Sequence, residues 1–240
     1  MADIIEGRVS ATQPARLDLD DPAKVRTSPY GDVYSQPIGK ARASAAEEGS
    51  YYVAVNPTPG TGIAGITAAN GYDATEAFIH ILNSAASTKT IVLDYIKLSV
   101  TAVGTNGTDL RFDCHLDTGS RFTSGGSVLT GENCLVGGAA TQAQINCGAV
   151  VAPAATADVV RIGGCELRSA IKVAGDQYLF DFGGEPTASQ DAVNATTGVN
   201  ITTSLPPVVL RPGKSFLFAD NAASQSVAAS YEVEIGYWER

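Results

Sequence analysis

The sequence predicts an all-β protein: a jelly-roll-like antiparallel β-sandwich over residues 49–240, preceded by an extended N-terminal arm over residues 1–48. Three observations predict it. From Tyr51 onward, apolar runs are short and are separated by pieces rich in Gly, Pro or Asn, the pattern of a sandwich or closed barrel. The stretch SYEVEIGYWER (230–240) alternates, placing Tyr231, Val233, Ile235 and Tyr237 on one strand face and Glu232, Glu234, Gly236 and Trp238 on the other. The first 48 residues carry scattered prolines and no sustained period.

Taken in order, the arm contains QPAR, DDPAK, SPYGD and SQPIGK, whose prolines exclude long helices and central strands. Its apolar residues Ile4, Ile5, Val9, Leu17, Leu19, Val25, Val33 and Tyr34 have no core of their own, and its eight acidic residues nearly balance six basic ones. A segment of that kind is expected to be a strap that orders on a neighbouring surface. Strands are then expected at YYVAV (51–55), AFIHIL (77–82), TIVLDYIKLSVTA (90–102), LRFDCHL (110–116), NCGAVV (146–151), CELRSAIKV (165–173), YLFDF (178–182), PVVLR (207–211), SFLFA (215–219) and the closing stretch to Trp238. TPGTG, GTNGTD, TSGGS, GEN, DFGGEP and RPGK read as turns. VVLRPGKSFLFAD predicts a hairpin turning at 211–214 and pairing with the last strand. Residues 136–157 and 186–204 read as long excursions, and no internal repeat suggests a propeller or solenoid. The patterned last strand is expected to sit inside a sheet, because unsecured chain ends fray.

Composition narrows the function classes. Apolar residues make up 44 % and charged residues 17 %, a bland surface suited to packing against other subunits. A net charge of -9 argues against nucleic acid as a partner, which would call for clustered Lys and Arg. No run of about 20 apolar residues suggests a membrane span, and MADIIEGRVSAT lacks the regions of a signal peptide, so a protein made in the cytoplasm with no membrane partner is expected. Cys114, Cys134, Cys147 and Cys165 are too widely spaced for metal knuckles and are expected to be free thiols, mostly buried.

Candidate chemistry is sparse. PGKS lies in VVLRPGKS, where Val208 occupies the position of the first glycine of a phosphate-binding loop, so it reads as a turn. The two histidines are His80, expected on the surface or at an interface, and His115. In DCHLD, Asp113, His115 and Asp117 share a strand face, but the two aspartates stand about 13 Å apart on an extended strand. The reading is a solvated or subunit-facing polar strip. No catalytic, cofactor-binding or metal-binding residue is assigned, and the chain is expected not to be an enzyme.

TKTIVLDYIKLSVTAVGTNGTDLRF, PVVLRPGKSFLF and SQSVAASYEVEIGYWER together resemble the virion structural proteins of tailed double-stranded DNA bacteriophages, most closely the jelly-roll capsid decoration, or cement, proteins. The resemblance covers roughly residues 50–240. It implies a homotrimer on the outer surface of the phage head that binds the major capsid protein across capsomer junctions and stabilises the shell. On that reading the arm residues named above anchor the subunit to the capsid by strand-edge pairing, while His115 and Trp238 are candidate subunit-interface residues. Trp238 is equally readable as a cap on its own domain's core. The alternative is a tail or head-fibre module of similar fold that binds a host-surface glycan, although 136–157 and 186–204 contain no aromatic residue. A glycan-cleaving enzyme on the same fold is a further alternative, which no residue pattern supports.

Overall fold

The computed structural model describes residues 41–66, 75–104, 108–151, 159–167, 173–184, 188–191, 200–223 and 226–240. The arm residues Ile4, Ile5, Val9, Leu17, Leu19, Val25, Val33 and Tyr34 lie outside them. The chain divides into two compact units, Met1–Ala41 and Arg42–Arg240, and all the strands belong to the second.

Among the described residues, one short helix, α1 (Ala41–Glu47), precedes the strands. The last residues of the segment read as extended arm are therefore helical, as the alanine-rich sequence ARASAAE favours. Fifteen strands follow among the described residues: β1 (Tyr51–Val55), β2 (Ile63–Ala64), β3 (Glu76–Asn83), β4 (Ile91–Ala102), β5 (Thr108–Asp117), β6 (Ser124–Leu129), β7 (Gly131–Asn133), β8 (Ala143–Val151), β9 (Val159–Leu167), β10 (Gln177–Phe182), β11 (Ala188–Asp191), β12 (Asn200–Leu205), β13 (Val209–Leu210), β14 (Ser215–Ala223) and β15 (Ser230–Glu239).

The pairing is nested. Among the eight principal strands, the first pairs with the last (β1 with β15), β3 with β14, β4 with β10, and β5 with β9, all antiparallel. Two further pairings, β15 with β4 and β14 with β5, join these into β1-β15-β4-β10 and β3-β14-β5-β9. This is the two-sheet jelly roll. The remaining strands widen both sheets: β7 lies beyond β1, β12 and β11 beyond β10, and β8 and β6 beyond β3.

The core lies between the sheets, and strand alternation builds it. Tyr231, Val233, Ile235 and Tyr237 of β15 are fully buried, as their spacing requires. Phe112, Phe180 and Phe218, from three strands of the two sheets, meet edge to face or tilted at 4.9 to 5.6 Å between centroids. Tyr52 stacks on Tyr237 at 5.6 Å, its hydroxyl donating to the Ala139 carbonyl. The C-terminal end of the last strand is held on both sides, with the Glu239 amide donating to Ser50 O and Thr90 exchanging two backbone bonds with Arg240.

Several elements differ from the sequence reading. Val209–Leu210 pairs with β4 in one sheet, while Ser215–Ala223 pairs with β3 and β5 in the other. The turn at 211–214 therefore carries the chain between sheets rather than closing a hairpin, and the last strand pairs with β1 and β4 instead of β14. Both runs keep their apolar faces inward, which a sheet-to-sheet crossing satisfies as well as a hairpin does. The strand read as CELRSAIKV begins earlier, at Val159, and residues 168–172 of that stretch lie outside the described residues. In the first excursion the strand expected at NCGAVV starts earlier, as β8 from Ala143, and the second contains β11 and β12, which the reading did not expect. TSGGS and GEN, read as turns, contribute to β6 and β7. Gly125 and Gly126, at φ 84 and 68, let β6 run against β8 where a Cβ on Gly125 would stand 2.2 Å from Ala149 O.

Candidate interaction site

The outward face of the β1-β15-β4 sheet carries a compact charged and aromatic cluster. Its origin is a break in the β4 pattern: Leu93 faces the core, and so do Ile96 and Leu98, but two residues rather than one lie between Leu93 and Ile96. The register with β15 shifts at that point, Gly236 pairing with Tyr95 and Tyr237 with Leu93, which leaves Asp94 as the extra residue of a β-bulge. The bulge re-aims Asp94 and Tyr95 toward the same surface.

Asp94 is almost buried, and one of its carboxylate oxygens accepts two hydrogen bonds, from Tyr51 Oη at 2.7 Å and from Arg42 Nε at 2.5 Å. The Arg42 guanidinium lies over the Tyr95 ring, 5.0 Å from its centroid. Tyr95 Oη donates to Glu234, whose second oxygen faces Lys97 Nζ at 3.5 Å. Trp238, half-buried, meets Tyr51 edge to face at 5.5 Å. Gly236 makes the assembly possible: a Cβ there would stand 2.3 Å from Tyr95 Cε1 and 2.5 Å from Tyr51 Oη.

The electrostatics agree with the geometry. Burial, then the hydrogen bond to Asp94, raises the Tyr51 phenol well above its ordinary range, and burial with Glu234 does the same for Tyr95. Both phenols therefore stay protonated and remain donors. The hydrogen bond to Asp94 raises Arg42 further above its usual value.

The outward face of the other sheet holds the polar strip. Asp113, His115 and Asp117 share a face as their alternation requires, but all three are buried rather than solvated. Asp113 accepts from Arg161 Nε at 2.6 Å, and Asp117 faces Arg121 Nε at 3.3 Å, so the two aspartates serve different arginines. Burial lowers the His115 pKa against the opposing pull of Asp113. Among the described residues no three His, Cys, Asp or Glu side chains converge as metal ligands.

His80, expected on the surface or at an interface, is also buried within its own chain, being only 1 % exposed. Its side chain does point away from the core, but residues 118–123 fold over it and place Phe122 against the ring at 5.4 Å, beside Ala77, Val150 and Leu217. Neither ring nitrogen has a hydrogen-bond partner, and burial pushes the imidazole down to about 4. The cysteines are free; Cys114 and Cys147 are buried, Cys165 is intermediate and Cys134 is exposed.

No protein-family model, curated protein or solved structure matches this chain. Of the two interface candidates read from the sequence, His115 is enclosed by its own chain, while Trp238 lies partly open on the sheet face beside the cluster. The cluster itself was missed, although its signal is present in TIVLDYIKLSV: the apolar period slips by one residue at Asp94, which marks a bulge.

Proposed function

We propose that the protein is a structural subunit of a phage head, a jelly-roll decoration or cement protein that assembles as a trimer and binds the outer capsid surface through its N-terminal arm. The observation that carries this reading is the attachment at the arm's root. Arg42 of α1 fastens the chain to Asp94 of the first sheet immediately after a proline-spaced segment bearing eight apolar anchors. A strap that grips a partner transmits force to its own domain only if its root is fixed. Ordering the arm costs about 1 to 2 kcal/mol per backbone residue, so apolar anchors and edge hydrogen bonds must offset that cost. In a trimer, docking of one arm raises the effective concentration of the others.

The test is co-sedimentation with expanded capsid shells, comparing the full chain with a variant lacking residues 1–40, after light scattering has fixed the mass of each. The full chain is expected to bind to saturation as a trimer, and the truncated one to stay folded and unbound. Equal attachment by the truncated protein would refute the role of the arm. A full-length monomer that ignores shells would refute the cement reading and turn attention to glycan binding.

A further inference from the structure

The receptor and the occupant of the Asp94 cluster come from different parts of the fold. Asp94, Tyr95, Tyr51 and Gly236 belong to the central strands β4, β1 and β15, and each is fixed by its sheet register. Arg42 belongs to a seven-residue helix outside both sheets, and it is the first residue of the compact unit. The Arg42 side chain is 54 % exposed, whereas that of Asp94 is 8 % exposed. The carboxylate is thus set into the sheet face, and the cation rests on it from outside.

The chemistry of this receptor suits one kind of group. A recessed carboxylate that also accepts from Tyr51 Oη offers a charge-assisted bond, and the Tyr95 ring offers a flat π face. A guanidinium, planar and weakly hydrated, can donate in its plane to Asp94 while its face lies on Tyr95. A compact, strongly hydrated ammonium cannot use both at once. We propose that Asp94, Tyr51 and Tyr95 form a guanidinium-binding site in which Arg42 is the resident side chain, so that the arm is latched at its root by a replaceable arginine. An arginine presented by another subunit carries the same chemistry and competes for the same seat. The inference goes beyond the cement reading and is tested without any shell, so the failure of one is distinguishable from the failure of the other.

The test uses the full-length chain and its single tryptophan, Trp238, which touches Tyr51. Arg42→Ala empties the seat. Millimolar methylguanidinium is then expected to change Trp238 emission with saturation, at a half-point roughly in the millimolar range, with methylammonium at least about tenfold weaker. Wild type, with its seat filled, and the double variant Arg42→Ala/Asp94→Asn should give no saturable change. Hydrogen exchange supplies the second readout: the Gly49 and Ser50 amides, which donate to Ala46 and Ala45, should exchange on the order of tenfold faster in Arg42→Ala and recover with methylguanidinium. Arg42→Lys should restore little of the protection. Equal response to both cations, the same response in the double variant, or exchange unchanged by loss of Arg42 would each overturn the proposal.

Discussion

Replacing His80 with Leu should remove a defined part of the protein's acid sensitivity. His80 pairs across β14 with Leu217 and across β8 with Asn146, and it is covered by Phe122. Its pKa is lowered from 6.5 to about 4 by burial. The unfolded chain takes up a proton at this residue below about pH 6.5, whereas the native chain does not until about pH 4. Between those values the unfolded state holds more protons, so stability falls as the pH is lowered. At about 1.4 kcal/mol per pH unit, the His80 contribution to that loss is about 3 kcal/mol, or a melting-temperature change of roughly 6 to 12 °C for a domain of this size. The other ionisable groups are common to both proteins, so the quantity to measure is the difference between wild type and His80→Leu in denaturant unfolding at several values from pH 7 to pH 4. That difference should move by about 3 kcal/mol in favour of the variant as pH falls. At pH 7 the variant should be equally stable or more stable by about 1 kcal/mol, because two unpartnered buried nitrogens are removed. A difference that stays constant across the range would refute the argument.

Three further outcomes follow from the same structure. Phe122→Ala should open the cover over His80, and NMR titration of its ring protons should show the pKa moving from about 4 toward 6.5. Gly236→Ala should lower stability by about 1 to 3 kcal/mol in thermal or chemical unfolding, since the new methyl group meets Tyr95 and Tyr51 at 2.3 and 2.5 Å. Glu239→Ala should cost about 1 to 3 kcal/mol in denaturant unfolding, because Glu239 Oε1 accepts from Thr141 Oγ1 and from the amides of Gln142 and Ala143, which would be left without that acceptor.

Strands with dense alternating apolar residues were legible in the sequence. YYVAV matches β1 residue for residue, and the face assignments along SYEVEIGYWE hold throughout, because each rests on a period-two pattern that one buried face enforces. NITTSL was not legible, since only Ile201 and Leu205 anchor β12 and its pairing with β10 is parallel and remote in sequence. SGGSVL was hidden by its glycines, which serve a close strand approach as well as they serve a turn. For His80 the direction of the side chain was readable from alternation, but its environment was not. The cover comes from residues 118–123, held by bonds from Ser215 Oγ to Gly119 O and from the Thr123 amide to Val151 O, contacts that no local pattern announces.

The two outward faces differ in a way that bears on assembly. On the β14-β5 face, the charged strip is already neutralised within the chain: Asp113 and Asp117 face arginines, and Phe122 closes over His80. A partner docking there would have to displace these contacts and leave buried carboxylates unpaired, which typically costs several kcal/mol. On the β15-β4 face, the Arg42 guanidinium and the Lys97–Glu234 pair remain substantially exposed, and Trp238 is partly open beside them. An exposed pair of this kind contributes little to stability, and an aromatic with one wet edge is a common anchor in interfaces. The faces differ at this pair, open on both sides where Arg121–Asp117 is buried on both, whereas Arg42 on Asp94 and Arg161 on Asp113 are alike in setting an exposed guanidinium on a buried carboxylate. The open Lys97–Glu234 pair and the partly open Trp238 are thus the contacts that a partner can exchange at least cost, and they flank the seat of Arg42.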